Sequence, residues 1–217
     1  DKGVKMENKQ ISKLLEGVVR FRNEDFVEHQ KLFSELGDNQ DPHTLFIGCS
    51  DSRLVPNLIT NTLPGELFVV RNIANFVPPY RVSAEFAATT AAIEYAVVVL
   101  NVENIVVCGH SNCGGCSALY LPEEKLSKIP NVKKWLELAA PIKKQVLEEL
   151  KDDDEKIRNW HTELLNVVEQ LKHLLTYPFI KERYEKGELK LYGWYYVIES
   201  GDVYDYDFDS KEFRLVR

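Results

Sequence analysis

The chain has 217 residues, of which 44% are hydrophobic and 28% are charged, and its formal net charge is −7. A chain of this size and apolar content suits one α/β domain, and its acidic balance disfavours nucleic acid, because phosphate backbones are bound by clustered Lys and Arg. No apolar run approaches the ~20 residues of a membrane span, so we expect no membrane partner.

The N-terminal region is predicted to be a helical arm, residues 7–36, of a single domain covering 1–217. Apolar side chains recur at helical spacing from Lys9 to Leu36, and Gly37-Asp38-Asn39 ends the arm. The first ten residues are polar and lack the apolar core of a signal peptide. Together with four cysteines, too few for a disulfide scaffold, this composition favours a cytoplasmic location.

Three short apolar runs predict buried strands at 44–48, 66–70 and 104–108. Between the last two, an alanine-rich stretch from Ser83 to Leu100 is typical of a helix. Strands that are apolar throughout and alternate with helices indicate an α/β fold, with a central, mainly parallel sheet flanked by helices.

The second half of the chain is predicted to be mostly helical. Helices are expected at 132–151 and 154–175, and Pro178 opens a short one that ends at Lys186-Gly187. The segments 189–199 and 203–208 are rich in Tyr and Val and are separated by Ser200-Gly201-Asp202. They predict an antiparallel hairpin at the C-terminal edge of the sheet.

Two motifs follow predicted strands directly. Cys49-Ser50-Asp51-Ser52-Arg53 comes after the first strand, and His110-Ser111-Asn112-Cys113-Gly114-Gly115 comes after the third. Ligands of open α/β sheets bind at the carboxyl ends of the strands, so neighbouring strands would bring these loops together.

Two thiolates and one imidazole are a good ligand set for zinc, and three protein ligands leave the fourth position for water or substrate. Water bound there can reach a pKa near ~7 and supply hydroxide at neutral pH. Arg53 could hold Asp51 in a charge-assisted pair, which keeps the carboxylate ionised and able to accept a hydrogen bond from that hydroxide.

The two motifs, with the blocks at 64–75 and 92–96, make the chain resemble the β-class carbonic anhydrases from about Phe21 to Phe208. The resemblance implies one zinc ion per chain, held by Cys49, His110 and Cys113, with Asp51 and Arg53 as a catalytic dyad. The implied activity is reversible hydration of carbon dioxide to bicarbonate and a proton by attack of zinc-bound hydroxide. It also implies a closed, inactive form in which Asp51 takes the fourth zinc position.

A plant-like subset of that family lines a narrow substrate pocket partly from the neighbouring subunit. The residues implied here are Gln40, Phe68, Ile73 and Tyr95, with the backbone N–H of Gly114 as a further donor to CO2 or bicarbonate. Another subset has an inhibitory bicarbonate site that begins with a Trp, where this chain has Phe46, so the plant-like subset is favoured. The resemblance further implies a homodimer or a dimer of dimers.

Three other interpretations use the same residues. The same zinc site could hydrolyse carbon disulfide or carbonyl sulfide. A non-catalytic, structural zinc would need a fourth protein ligand, for which Cys116 and Asp51 are the candidates. Cys113 and Cys116 also fit a C-x-x-C redox pair, although Cys108 and Cys116 read more simply as buried thiols. Outside these motifs, His43 is either a proton shuttle or an ordinary loop histidine.

Overall fold

The computed structural model of the protein describes residues 9–82, 85, 87–150 and 154–217. The chain divides into two compact units, Asp1–Gln40 and Asp41–Arg217. The first unit is helical, in three pieces: α1 (Lys9–Asn23), α2 (Asp25–Glu28) and α3 (Gln30–Glu35). The rings of Phe21, Phe26 and Phe33 pack on one another within it, with centroids 5.2–6.3 Å apart.

The second unit is built on a six-stranded sheet with the order β2-β1-β3-β4-β5-β6. The first four of these strands are parallel, and β5 and β6 are antiparallel to their neighbours. The strand bounds are β1 (Thr44–Cys49), β2 (Leu67–Asn72), β3 (Asn104–His110), β4 (Lys190–Tyr196), β5 (Val203–Asp207) and β6 (Glu212–Leu215).

This sheet confirms the predicted fold class and adds two details. The hairpin predicted at the C-terminal edge exists as β4 and β5, but β4 also pairs in parallel with β3 and so belongs to the central sheet. The short last strand, β6, was not predicted, because the exposed sequence Glu212–Leu215 has only one half-buried side chain to mark it.

The helices of the second unit cover the sheet, and none among the described residues has the length and apolarity needed to cross a bilayer. Short 3₁₀ turns at 73–75, 118–120 and 137–139 connect some of them. The bounds are α4 (Pro56–Thr60), α5 (Ala88–Glu94), α6 (Gly114–Ser117), α7 (Glu123–Leu126), α8 (Pro130–Leu136), α9 (Ala140–Glu149), α10 (Glu155–Leu174) and α11 (Pro178–Glu185).

Two predicted helices differ from those observed. The helix expected from Ser83 begins at Ala88 and ends in a π-helical turn, Tyr95–Val99; residues 83, 84 and 86 lie outside the described residues. The helix expected at 132–151 is divided into α8 and α9, because Pro141 lacks the N–H that a continuous helix would need there.

The long helix α10 packs closely on β3 and β4. Asp154 caps it by accepting hydrogen bonds from the backbone N–H groups of Lys156 and Ile157, at 2.8 and 3.3 Å. Val167 lies against Gly109 of β3, where an added Cβ would come within 2.7 Å of the valine Cγ2. The absence of a side chain at 109 therefore sets how near the helix comes to the strand.

We expect Gly109→Ala to lower the free energy of unfolding by about 1–3 kcal/mol, because the stiff, β-branched Val167 must move to admit the methyl group. Urea unfolding followed by circular dichroism measures the change. Gly17→Ala in α1 is the control, since a Cβ there meets nothing within 4 Å and the helix should be unharmed. An unfolding midpoint for Gly109→Ala equal to that of the wild type would contradict the close packing.

Candidate metal centre

The ends of β1 and β3 place the two sequence motifs side by side. The strands are parallel neighbours with Gly48 opposite Cys108, so Cys49 and His110 lie together at the carboxyl-terminal ends of the strands. Cys113 follows three residues later, directly before α6. The predicted meeting of the two loops is thus produced by ordinary strand pairing.

Cys49, His110 and Cys113 form a buried cluster. One candidate ligand atom from each lies within 4.8 Å of the other two. The two sulfur atoms are 4.0 Å apart. The hydrogen bond with Cys113 and burial raise the pKa of the Cys49 thiol to about 12, so a metal ion must displace protons to bind here.

The imidazole of His110 is oriented for a metal ion. Its Nδ1 lies 3.0 Å from the carbonyl oxygen of Ser111, to which a protonated Nδ1 donates. Its Nε2 is buried and has no hydrogen-bond partner within the described part of the chain. A buried nitrogen lone pair beside two thiols fits the S₂N donor set that zinc favours.

Asp51 and Arg53 form a bidentate ion pair beside this cluster. Arg53 donates from Nε to Oδ1 at 2.9 Å and from Nη2 to Oδ2 at 2.7 Å. These hydrogen bonds hold the pKa of Asp51 well below its usual range. The Oδ2 atom lies 3.9 Å from His110 Nε2, so the ionised carboxylate is at the edge of the candidate metal position.

Arg71 holds the loop that carries the pair, a role that the sequence did not reveal. It lies near the end of β2, and its guanidinium donates to the backbone carbonyls of Cys49 and Asp51, at 3.0 and 2.7 Å. The signal was available: in a parallel sheet, an arginine at the end of the strand beside β1 comes level with the first motif.

Glu163 is the second residue that sequence analysis missed. It lies on α10, and its carboxylate accepts hydrogen bonds from the backbone N–H of Cys113 and the hydroxyl of Tyr195, both at 2.8 Å. Burial raises the pKa of Glu163. The signal was its place four residues before Val167, on the buried stripe of the helix.

Two of the predicted pocket residues lie at this edge of the sheet. Ile73 follows β2, and its Cγ2 is 2.9 Å from the position that a Cβ on Gly115 would take. Gly114 opens α6 and is exposed, and a Cβ there would meet open space. Both residues therefore border the loop that carries Cys113.

The structure does not bring the other pocket residues to the same chain's cluster. Phe68 pairs with Leu45, four residues before Cys49, which is about 13 Å along β1. Its ring stacks on that of Tyr95 at 6.0 Å, and Tyr95 is 45% exposed. Gln40 belongs to the N-terminal unit, and its role remains a prediction.

The remaining cysteines and His43 occupy other positions. Cys108 and Cys116 are buried, as expected of apolar thiols, and Cys116 lies outside the three-residue cluster, with Asn166 Nδ2 3.7 Å from its sulfur. His43 precedes β1 and so lies about 20 Å from Cys49, at the opposite edge of the sheet. His43 is therefore far from the cluster of its own chain, and a proton-shuttle role for it remains a prediction.

Comparison with known proteins gives the relationship. The carbonic anhydrase family model matches residues 44–203. The chain is 44% identical over 207 residues to a carbonic anhydrase of Helicobacter pylori strain J99, with 92% of each chain covered. It is also 36% identical to β carbonic anhydrase 3 of Arabidopsis thaliana, over 92% of this chain and 79% of that one. The chain belongs to the β-carbonic anhydrase family.

Solved structures of β-carbonic anhydrases share the fold. The β-carbonic anhydrase CcaA superposes with a TM-score of 0.90 at 39% identity, covering 96% of this chain and 93% of the other. A tetrameric β-carbonic anhydrase of Sordaria macrospora gives a TM-score of 0.80 at 32% identity, covering 91% and 96%. The family resemblance, the enzyme class and the fold predicted from the sequence are confirmed.

Replacing single cysteines distinguishes a three-ligand site from a structural site in which Cys116 is the fourth ligand. We expect Cys116→Ser to retain about one zinc per chain and Cys113→Ser to lose it, because Cys113 belongs to the cluster and Cys116 does not. Elemental analysis of protein purified without chelator measures the zinc. Loss of zinc from Cys116→Ser, with a folded circular dichroism spectrum, would contradict the assignment.

Proposed function

We propose that the protein catalyses reversible hydration of carbon dioxide to bicarbonate and a proton. A zinc ion, one per chain, would be held by the sulfur atoms of Cys49 and Cys113 and by Nε2 of His110. The observation that carries the proposal is the buried Nε2 of His110, which has no hydrogen-bond partner among the described residues. It belongs to a cluster whose candidate ligand atoms lie within 4.8 Å of one another, beside a bidentate Asp–Arg pair. None of the four cysteines is in a disulfide, which supports action in a reducing, cytoplasmic setting.

When bound, zinc supplies the Lewis acidity that makes water nucleophilic near neutral pH. Asp51 would accept a hydrogen bond from the attacking water, which turns the water's free lone pair toward the carbon of CO2. Arg53 keeps Asp51 ionised and fixes both of its oxygens, so the carboxylate cannot rotate out of line.

Substrate would be placed by Gly114 and Ile73. The backbone N–H of Gly114 is at the start of α6, where it can donate to an oxygen of CO2 or bicarbonate. Ile73 supplies an apolar wall next to that loop, which favours a small, uncharged molecule over hydrated anions.

The same pocket would be completed by a second copy of the chain. Phe68 and Tyr95 stack on each other far from their own cluster and remain partly exposed. Exposed apolar side chains, those of Val98 and Val99, follow Tyr95 in the same π-helical turn. We propose that this surface is buried in a homodimer or a dimer of dimers, in which Gln40, Phe68 and Tyr95 serve the partner's site.

Asp51→Asn tests the proposed reaction. The amide offers one acceptor oxygen and cannot pair with Arg53 as an anion, so we expect kcat for CO2 hydration to fall by about 100-fold or more with zinc content unchanged. Stopped-flow assays across a range of pH, run beside zinc analysis, measure both.

A zinc-loaded wild type that hydrates no CO2 at any pH would overturn the proposal. The same preparation is to be offered carbonyl sulfide and carbon disulfide, because the metal site alone does not distinguish these from CO2. Faster release of sulfide than of bicarbonate would establish the sulfur-analogue hydrolase in place of the carbonic anhydrase activity.

Val99→Glu tests the shared pocket. Val99 is 61% exposed, so the charge should leave the chain folded while it opposes association through this surface. We expect a smaller species by light scattering, with CO2 hydration lost. Leu147→Glu on α9, 55% exposed, is the control and should keep the size and activity of the wild type. An active monomer would contradict the shared pocket.

A further inference from the structure

The peptide group between Asn112 and Cys113 is held at both of its polar ends. Its N–H, which belongs to Cys113, donates to Oε1 of Glu163 at 2.8 Å. Its carbonyl, which belongs to Asn112, accepts from Nη2 of Arg53 at 3.1 Å. One amide thus connects a buried carboxylate, a proposed metal ligand and the arginine of the dyad.

The choice of a carboxylate at this position is unusual. Glu163 is 3% exposed, and within the described residues it forms no ion pair, so its burial costs free energy that a neutral acceptor would avoid. The second oxygen accepts from Tyr195, itself buried on β4. Both oxygens are therefore fixed, and the charge is directed at the Cys113 N–H.

Two other buried polar side chains of α10, Asn166 and Gln170, also bond to backbone groups, and Gln170 Nε2 donates to Asn166 Oδ1 at 2.8 Å. Asn166 donates to the carbonyl of Ala74, and Gln170 accepts from the N–H of Val77, at 2.8 and 2.7 Å. These neighbours secure the turn after β2, whereas Glu163 secures the loop after β3. Of these three side chains, that of Glu163 accepts from the backbone N–H of a candidate metal ligand, Cys113.

We propose that Glu163 is a positioning residue that sets both the Cys113 thiolate and Arg53 through their shared peptide. An anion on the N–H end polarises the amide and makes its carbonyl a stronger acceptor for Arg53, because hydrogen bonds in a chain strengthen one another. Fixing the N–H also fixes the backbone from which the Cys113 sulfur projects. The inference rests on the proposed zinc site.

Glu163→Gln is the decisive variant, because it keeps the size and one acceptor oxygen but removes the charge. We expect about 10-fold or greater weakening of zinc binding, the range typical of groups that orient metal ligands, measured by competition with a chromophoric chelator. With cobalt(II) in place of zinc, the thiolate-to-metal and ligand-field bands should shift. Tyr195→Phe should move both readouts in the same direction by less.

Thr162→Val is the matched control. Thr162 directly precedes Glu163 on α10 and is equally buried. Its hydroxyl bonds to the carbonyl of Arg158 and the hydroxyl of Tyr120, neither of which belongs to the metal cluster. It should leave the zinc affinity and cobalt spectrum unchanged. If Glu163→Gln binds zinc within about twofold of the wild type with an unaltered cobalt spectrum, the positioning role is overturned. These readouts do not depend on CO2 hydration, so they separate this inference from the proposed function.

The link to Arg53 has its own test. A double-mutant cycle on kcat compares Glu163→Gln, Arg53→Lys and the double variant. We expect the fold-decrease in kcat of the double variant to be smaller than the product of the two single fold-decreases, because both residues act on one peptide. Losses that multiply would overturn the link between Glu163 and Arg53.

Discussion

The in-register parallel pairing of β1 and β3 is the constraint on which the site depends. With Gly48 opposite Cys108, the strands end together, and a thiol and an imidazole that are 61 residues apart in the chain become neighbours. A slip of one residue would turn every side chain of one strand to the other face of the sheet. The continuous burial of both strands makes such a slip costly, so core packing and the chemistry of the site share one requirement.

Close packing of α10 is the second requirement. A glycine on β3 lets the helix lie near enough for Glu163 to reach the loop beyond that strand, and Gly193 on β4 does the same one strand away, where an added Cβ would come within 2.7 Å of Leu171. The helix covers the apolar core with Val167 and Leu171. Its polar side chains, Glu163, Asn166 and Gln170, form hydrogen bonds to backbone groups of the loops after β2 and β3. One element thus stabilises the sheet and orders the loop at its end.

The sequence predicted the features that local pattern encodes: the buried strands, the fold class and the meeting of Cys49, His110 and Cys113. It did not predict contacts that depend on tertiary packing. The positions of Arg71 and Glu163 look ordinary along the chain and gain meaning only when the register of β2 or the distance of α10 is known. Pro141 alone would have predicted the break between α8 and α9, but the apolar residues around it keep helical spacing and favoured one continuous helix.

The stacked pair of Phe68 and Tyr95 has a genetic consequence. In the proposed assembly, a chain supplies metal ligands to one site and these aromatic rings to another, so damage to each function can lie on different chains. A Cys49-deficient chain joined to a Tyr95-deficient chain would still build one complete site, from the ligands of the second and the ring of the first. Two inactive alleles expressed together would then restore activity, and their products would complement each other in trans.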